Sequence, residues 1–356
     1  MTFNTTGKFI KTQFYFEGKP LEYVSRFCYL GFEICSSGTV THAMNVLLDK
    51  AKKAMRPVMN AIAKFDLPTS TAIKLFSTYV SPIILYNVEN WAILSEKNIL
   101  KTDEMQLFNM TFTSTTDTLH RKFLRYVLGL NNSTPNLALY GETGEIPLSL
   151  KGYRLMINYW KRLTTLPDQS LAKKALIENV GLRTNWIRTI EKLLKTFKLI
   201  DVADNKFKKK TRENIDEFYV SSWKNKMRNE NSSRLHVYKT INCEFSKATH
   251  LDLPFPLRKI ISKIRCSTHS LEIEKGRHSK TAPLERFCII CQDGSIENEN
   301  HFLIECASYE NLKDLFNLQT VNLIQVLNSE DQSTLGKYLL SAFRLRDRLI
   351  NGRRDN

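Results

Sequence analysis

The spacing Cys288-x2-Cys291-x9-His301-x4-Cys306 constrains this chain more than any other feature. Cys-x2-Cys lets one tight turn deliver two thiolates to one ion, and His-x4-Cys does so from a short helix or turn. Cys3His is a standard closed tetrahedral donor set for zinc. Between the pairs, Gln292-Asp293-Gly294-Ser295 is turn chemistry, and Phe302 and Leu303 can form a small apolar cap. The alternative makes the cysteines small buried hydrophobes and His301 a satisfied neighbour; paired spacing at both ends favours metal. Four protein ligands leave no position for water or substrate. The expected Zn2+ is therefore structural, a staple for a unit that could not otherwise fold. Cys28, Cys35, Cys243 and Cys266 lack such spacing and are expected in the core.

Seven cysteines are an odd number, and the opening MTFNTTGKFIKTQFYF has no apolar run before a cleavage site, so a disulfide framework is disfavoured. The chain has 356 residues, 42% hydrophobic, enough for two or three domains with a real core. Its formal net charge of +16 favours a polyanionic partner: nucleic acid first, an anionic membrane surface second. A generically basic protein without such a partner is the plain alternative. The most apolar stretch, VSPIILYNVENWAIL, is interrupted by Asn87, Glu89 and Asn90, so no membrane span is expected. A nuclear or cytoplasmic location follows as an expectation.

Periodicity predicts a mainly α chain. Residues 1–40 read as a β-hairpin, with aromatic and β-branched residues flanking Glu17-Gly18-Lys19-Pro20 and Gly31 marking a bulge or close backbone approach. Such a hairpin needs something to pack on and reads as the edge of a larger sheet. Residues 41–200 are helical, with Met44, Leu47, Leu48, Ala51, Met55, Met59 and Ile62 at threes and fours and Pro57 expected to kink or interrupt the first helix. Within them the Thr-rich 102–118 reads as a loop or insertion. Residues 201–257 read as a basic linker, DNKFKKKTREN, and helices. Residues 258–312 hold a basic helix and the Cys/His cluster, and 313–356 a helical tail.

Lys259, Lys263, Arg265, His269, Lys275, Arg277, Lys280 and Arg286 form a candidate basic ridge leading into the cluster, able to neutralise phosphates. Lys206, Lys208, Lys209, Lys210 and Arg212 form a second strip. Phe287 and Tyr309 are candidates for stacking on unpaired bases. Glu297 and Glu299 are expected on the outer side of the cluster or paired with Arg286. For each residue alone, a solvated face or a core aromatic is the competing reading.

Several runs resemble one family. Ile264-Arg265-x-Ser267-x-His269-x-Leu271-x-Ile273-Glu274-x-Gly276-Arg277, then Glu285-Arg286-x-Cys288-x2-Cys291 and Glu297-x-Glu299-x-His301-Phe302-Leu303-x2-Cys306, look like the C-terminal zinc knuckle of LINE-type (non-LTR) retrotransposon reverse transcriptases. Phe27-Cys28-Tyr29-Leu30-Gly31 resembles the element where palm meets thumb. Pro82-x3-Tyr86-x2-Glu89-x-Trp91 resembles the thumb signature, with Asn87 where that family has Gly. Tyr140-Gly141-Glu142 and Tyr159-Trp160 follow in order. The resemblance implies a palm-sheet remnant, a helical thumb-like bundle and a zinc-stapled C-terminal unit that grips RNA or DNA. It also implies, as a partner, the palm and endonuclease portion of a parent polyprotein. The palm's paired carboxylates are missing, since the sequence contains no Asp-Asp, and two-metal phosphoryl transfer needs them. Polymerisation by this chain alone is not expected. Two other readings remain: a protein-interaction or structural relic without a nucleic-acid role, and an enzyme using an unligated Cys with His.

Overall fold

In the computed structural model, which describes residues 13–95, 99–200, 202–242, 244–318 and 322–354, the named strands all lie near the start of the chain. β1 (Tyr15–Phe16) pairs with β2 (Lys19–Pro20), and β3 (Arg26–Tyr29) with β4 (Phe32–Cys35), both antiparallel. Each pair closes on two residues with positive φ, Glu17-Gly18 at 50° and 75° and Leu30-Gly31 at 47° and 81°. That backbone has the twist a two-residue hairpin turn requires. Two short hairpins thus stand where one longer hairpin is expected from the sequence. Gly31 serves the turn, and Tyr86 Oη lies 4.0 Å from where its Cβ would stand.

The remainder is mainly helical. α1 (Thr41–Phe65), α2 (Thr69–Tyr79), α3 (Ser81–Ile84) and α4 (Val88–Ser95) come first. α5 (Glu104–Thr113), α6 (Thr115–Leu128), α7 (Asn136–Thr143), α8 (Leu148–Thr164), α9 (Leu171–Gly181) and α10 (Asn185–Thr196) follow. The long α11 (Asp204–Asn229) leads to α12 (His236–Ile241), α13 (Phe255–Arg265) and α14 (Glu272–His278). α15 (Glu310–Leu315), α16 (Leu323–Leu327) and α17 (Gln332–Arg354) end the chain. None of the described helices is long and apolar enough to cross a membrane.

Three local expectations change. α1 runs through Pro57 without interruption. Pro57 and Lys53 are both exposed, so the carbonyl freed by the missing N–H faces water. The Thr-rich stretch forms α5 and the start of α6 instead of a loop. Asp103 and Gln106 make a reciprocal capping box (Gln106 N to Asp103 Oδ1, 2.7 Å; Asp103 N to Gln106 Oε1, 3.0 Å), and Leu107, Phe108 and Thr111 are buried. The threonine hydroxyls donate back to helix carbonyls, as Thr111 does to Phe108 at 2.7 Å, which removes their competition with the helix. The basic stretch after residue 203 is the start of α11, because Phe207, Thr211 and Ile215 give it a buried stripe at helical spacing.

The chain divides into two compact units that interleave along the sequence: Met1–Val58, Leu75–Leu119 and Ile146–Tyr219 form one, and Met59–Lys74, His120–Glu145 and Val220–Asn356 the other. In the first, α8 packs on α4, α9 and α10. Gly152 on α8 permits the approach of α4, since a Cβ there would stand 3.0 Å from Val88 Cγ2. Asp117 accepts from the backbone N–H of Leu148 and Ser149 and from the Ser149 hydroxyl, capping α8. In the second unit α13 packs on α17. Their apolar residues Ile261, Ile264, Leu335, Leu339 and Phe343 share one core with Phe302 and Leu303 beside the cysteine cluster.

Candidate metal centre

Two short pieces of backbone aim the four donors. The first is a hairpin turn: Phe287 bridges Ile296 in antiparallel fashion, and Cys288 N donates to Ser295 O at 2.7 Å. Gln292 N closes on Cys288 O at 3.2 Å. Gln292 and Gly294 take positive φ (59° and 84°), which reverses the chain and leaves Cys288 and Cys291 on one side. The second piece is a π-helical turn, His301–Glu305, held at its start by Asn298 Oδ1 accepting from His301 N at 2.8 Å. Cys306 N donates to His301 O at 2.8 Å, so the wider turn brings His301 and Cys306 round to the same side.

The donor atoms of Cys288, Cys291, His301 and Cys306 all lie within 4.8 Å of one another, and Cys291 Sγ is 3.3 Å from His301 Nε2. Metal–sulfur bonds of about 2.3 Å and metal–nitrogen bonds of about 2.1 Å place tetrahedral donor pairs roughly 3.5–3.8 Å apart, so the set fits a metal ion. Cys288, His301 and Cys306 are buried and Cys291 is half-buried. Among the protein groups alone, the hydrogen bond to Cys306 pushes Cys288 up to about 12 and draws Cys306 down. Burial pushes Cys291 up to about 11. A cation that takes three thiolates displaces these protons as it binds. Phe302 sits under the site, its ring 4.9 Å from those of Tyr309 and Phe343.

Of the acidic residues between the two pairs, Glu297 and Glu299 turn inward, while Asp293 stays exposed on the turn. Glu297 is fully buried and accepts two hydrogen bonds from the Arg346 guanidinium, at 2.7 and 2.6 Å. Arg346 also reaches Glu272 at 3.1 Å, so α17 is tied to both the cluster hairpin and α14. Glu299 pairs with His269 at 2.8 Å. The expected outer placement of both glutamates is thereby corrected; Glu297 N donates to Arg286 O at 2.9 Å, but the Arg286 guanidinium goes to the carbonyls of Thr281 and Ile273 and not to either carboxylate. Tyr309 is 1% exposed and serves the core, whereas Phe287 is exposed. Cys28 is exposed, contrary to expectation; Cys35 and Cys266 are buried, and Cys243 lies outside the described residues.

The basic ridge is divided by its own partners. Arg265 is buried, with Nε on Glu142 Oε1 at 2.6 Å and Nη1 on Leu327 O and Asn328 Oδ1, both at 2.8 Å. Arg286 is buried across Gly276, donating to the carbonyls of Thr281 and Ile273. Arg277 pairs with Glu274 at 3.0 Å and donates to Ser233 O. His269 is buried on Glu299. Lys263 is half-buried, and burial pushes its ammonium down. Lys259 lays its stem over Gly129, where a Cβ would stand 2.6 Å from Lys259 Cγ. Lys275, beside Glu272 at 3.3 Å, and Lys280 are exposed.

A polar centre not foreseen from the sequence lies within the same unit. Glu142, His250, Ser262 and Arg265 are all buried, with His250 Nε2 2.8 Å from Ser262 Oγ and 3.4 Å from Glu142 Oε1. Glu142 belongs to the Tyr140-Gly141-Glu142 run, but nothing along the chain links it to His250 or Ser262, more than one hundred positions away. No protein-family model, curated protein or solved structure matches the chain.

Proposed function

We propose that the chain is a nucleic-acid-binding module of the non-LTR reverse transcriptase kind, organised by a structural zinc ion and without polymerase chemistry of its own. The convergence of Cys288, Cys291, His301 and Cys306 carries this reading. Three thiolates and an imidazole suit zinc among the common divalent ions, and a closed four-ligand set supplies folding energy instead of a Lewis acid. Side-chain meetings elsewhere support the family resemblance. Tyr86 donates to the Leu30 carbonyl, joining the two runs that resemble the palm–thumb junction and the thumb signature. Asn87, standing where the family has Gly, adopts φ of 56°, a backbone that Gly or Asn accepts most readily. Trp91 Nε1 donates to Tyr86 O at 2.8 Å, closing the same turn.

Chain purified under reducing conditions should carry a single zinc ion and bind single-stranded RNA with an affinity that falls steeply as salt rises. Stripping the zinc should weaken that binding and loosen the C-terminal unit. A chain without zinc, or binding indifferent to both salt and zinc, rules the reading out. A structural relic with no nucleic-acid role is the second reading, favoured by the internal partners of Arg265, His269, Arg277 and Arg286.

A further inference from the structure

We infer that the surface which meets the nucleic-acid backbone is the first two turns of α11 together with the C-terminal end of α10, and not the ridge beside the metal centre; this rests on the nucleic-acid reading above. The excess positive charge is unevenly placed. Residues 146–219 carry sixteen Lys and Arg against eight Asp and Glu, half of the chain's net +16. In the ridge, four of the eight cationic candidates already hold internal carboxylates or carbonyls. On α11 the reverse holds. Phe207, Thr211 and Ile215 face the core, while Lys206, Lys208, Lys209, Lys210 and Arg212 are all exposed.

Their local compensation is thin. Lys210 approaches Glu213 at 2.9 Å, but Lys209 shares that same carboxylate at 3.7 Å, and Arg212 stands 3.8 Å from Asp216. Exposed pairs of this sort contribute little and leave most of the charge unspent. The end of α10 adds to it. Asn214 Nδ2 donates to Phe197 O at 2.9 Å and to Lys198 O at 3.2 Å, and the Phe197 and Phe218 rings pack edge to face at 5.3 Å. These contacts hold the segment that carries exposed Lys195 and Lys198 against α11 at Asn214 and Phe218, one and two turns beyond Lys210, within one unit. Seven exposed cations then lie on these two neighbouring segments, with mutual repulsion that a polyanion relieves. From Lys206 to Arg212 the helix rises about 9 Å, which matches about three phosphates on a strand carrying one per roughly 3.4 Å.

The test compares two quadruple variants of the full chain, both checked for zinc content and helicity: K206Q/K208Q/K209Q/K210Q on α11, and K259Q/K263Q/K275Q/K280Q on the ridge. Glutamine keeps the helix propensity, so folding is preserved. Kd for a fluorescent single-stranded RNA and for the matching DNA is measured across a KCl series. The α11 variant should bind at least tenfold more weakly than the native chain, with a log–log salt slope shallower by about 2, while the ridge variant stays within about threefold. Native-like binding by the α11 variant, with loss in the ridge variant, overturns the assignment and leaves nucleic-acid binding standing. A native chain that binds neither nucleic acid overturns both. Binding to phosphatidylserine vesicles alone, lost in the α11 variant, overturns the assignment in favour of a membrane surface.

Discussion

Arg346 shows how one side chain can decide whether the hairpin of the cysteine cluster stays attached to its support. It is fully buried, and its charge is answered by Glu297, also buried, and by the half-buried Glu272. Burying such a pair gains little against an apolar pair, but removing one member strands the other charge, at a cost of about 3–5 kcal/mol. R346M should therefore lower unfolding stability by about that amount in urea titrations, and E297Q/R346M should recover part of the loss, since the stranded carboxylate is gone. A loss under 1 kcal/mol in R346M would mean that the pair is dispensable. Residues of this kind were the least legible in the sequence. The four candidate metal donors could be read because metal-ligand chemistry imposes spacing along the chain. Arg346 and Glu297 are paired across forty-nine positions, and nothing local distinguishes Arg346 from Arg344 or Arg348.

Helices were legible wherever an apolar stripe recurred at threes and fours, as in α1, and illegible where capping or tertiary burial overrode composition. α5 is the clear case: threonines lower intrinsic propensity, yet the Asp103–Gln106 box and the burial of Leu107 and Phe108 hold the helix. The lysine run of α11 looked like a linker because its buried residues are few in the first turns and its charges many. α7 carries a constraint of another sort. Gly141 lies where a Cβ would meet Trp223 Cζ2 at 2.4 Å and Tyr238 Oη at 2.8 Å, both on fully buried rings. Trp223 is also pinned, its Nε1 donating to Leu137 O at 2.9 Å. Since neither ring can retreat, G141A should cost about 1–3 kcal/mol by overpacking, despite alanine's better helix propensity. A thermal midpoint equal to or above that of the native chain would show that α7 slides freely to make room.

For the molecule as a whole, the polar centre around His250 ties stability to pH. Burial draws the His250 imidazole down to about 4 from its ordinary 6.5. The groups facing it are the Glu142 carboxylate, which favours its charged form, the Arg265 guanidinium, which opposes it, and the Ser262 hydroxyl. Above 6.5 the imidazole is neutral whether the chain is folded or unfolded, and its contribution is fully present. Between 6.5 and 4 the unfolded chain takes up a proton that the folded chain refuses, so stability falls with pH across that window. One pKa unit corresponds to about 1.4 kcal/mol, so the full loss is about 3 kcal/mol. Glu299 acts in the same direction at lower pH. Burial works against its charge, but the hydrogen bond and charge of His269 outweigh this and hold the carboxyl below its ordinary value, so this contribution fades as pH falls through that lowered value. A metal ion held by the cysteine cluster would also be displaced by protons in acid, so the His250 effect must be read as a difference between chains. H250Q keeps a hydrogen-bonding side chain beside Ser262 but cannot titrate. Urea midpoints of the native chain and H250Q should run parallel above pH 7, and the native chain's should drop more steeply between pH 6.5 and 4. Parallel curves throughout would show that His250 is reached by water in the folded state, and that the buried centre does not govern the acid limit of the fold.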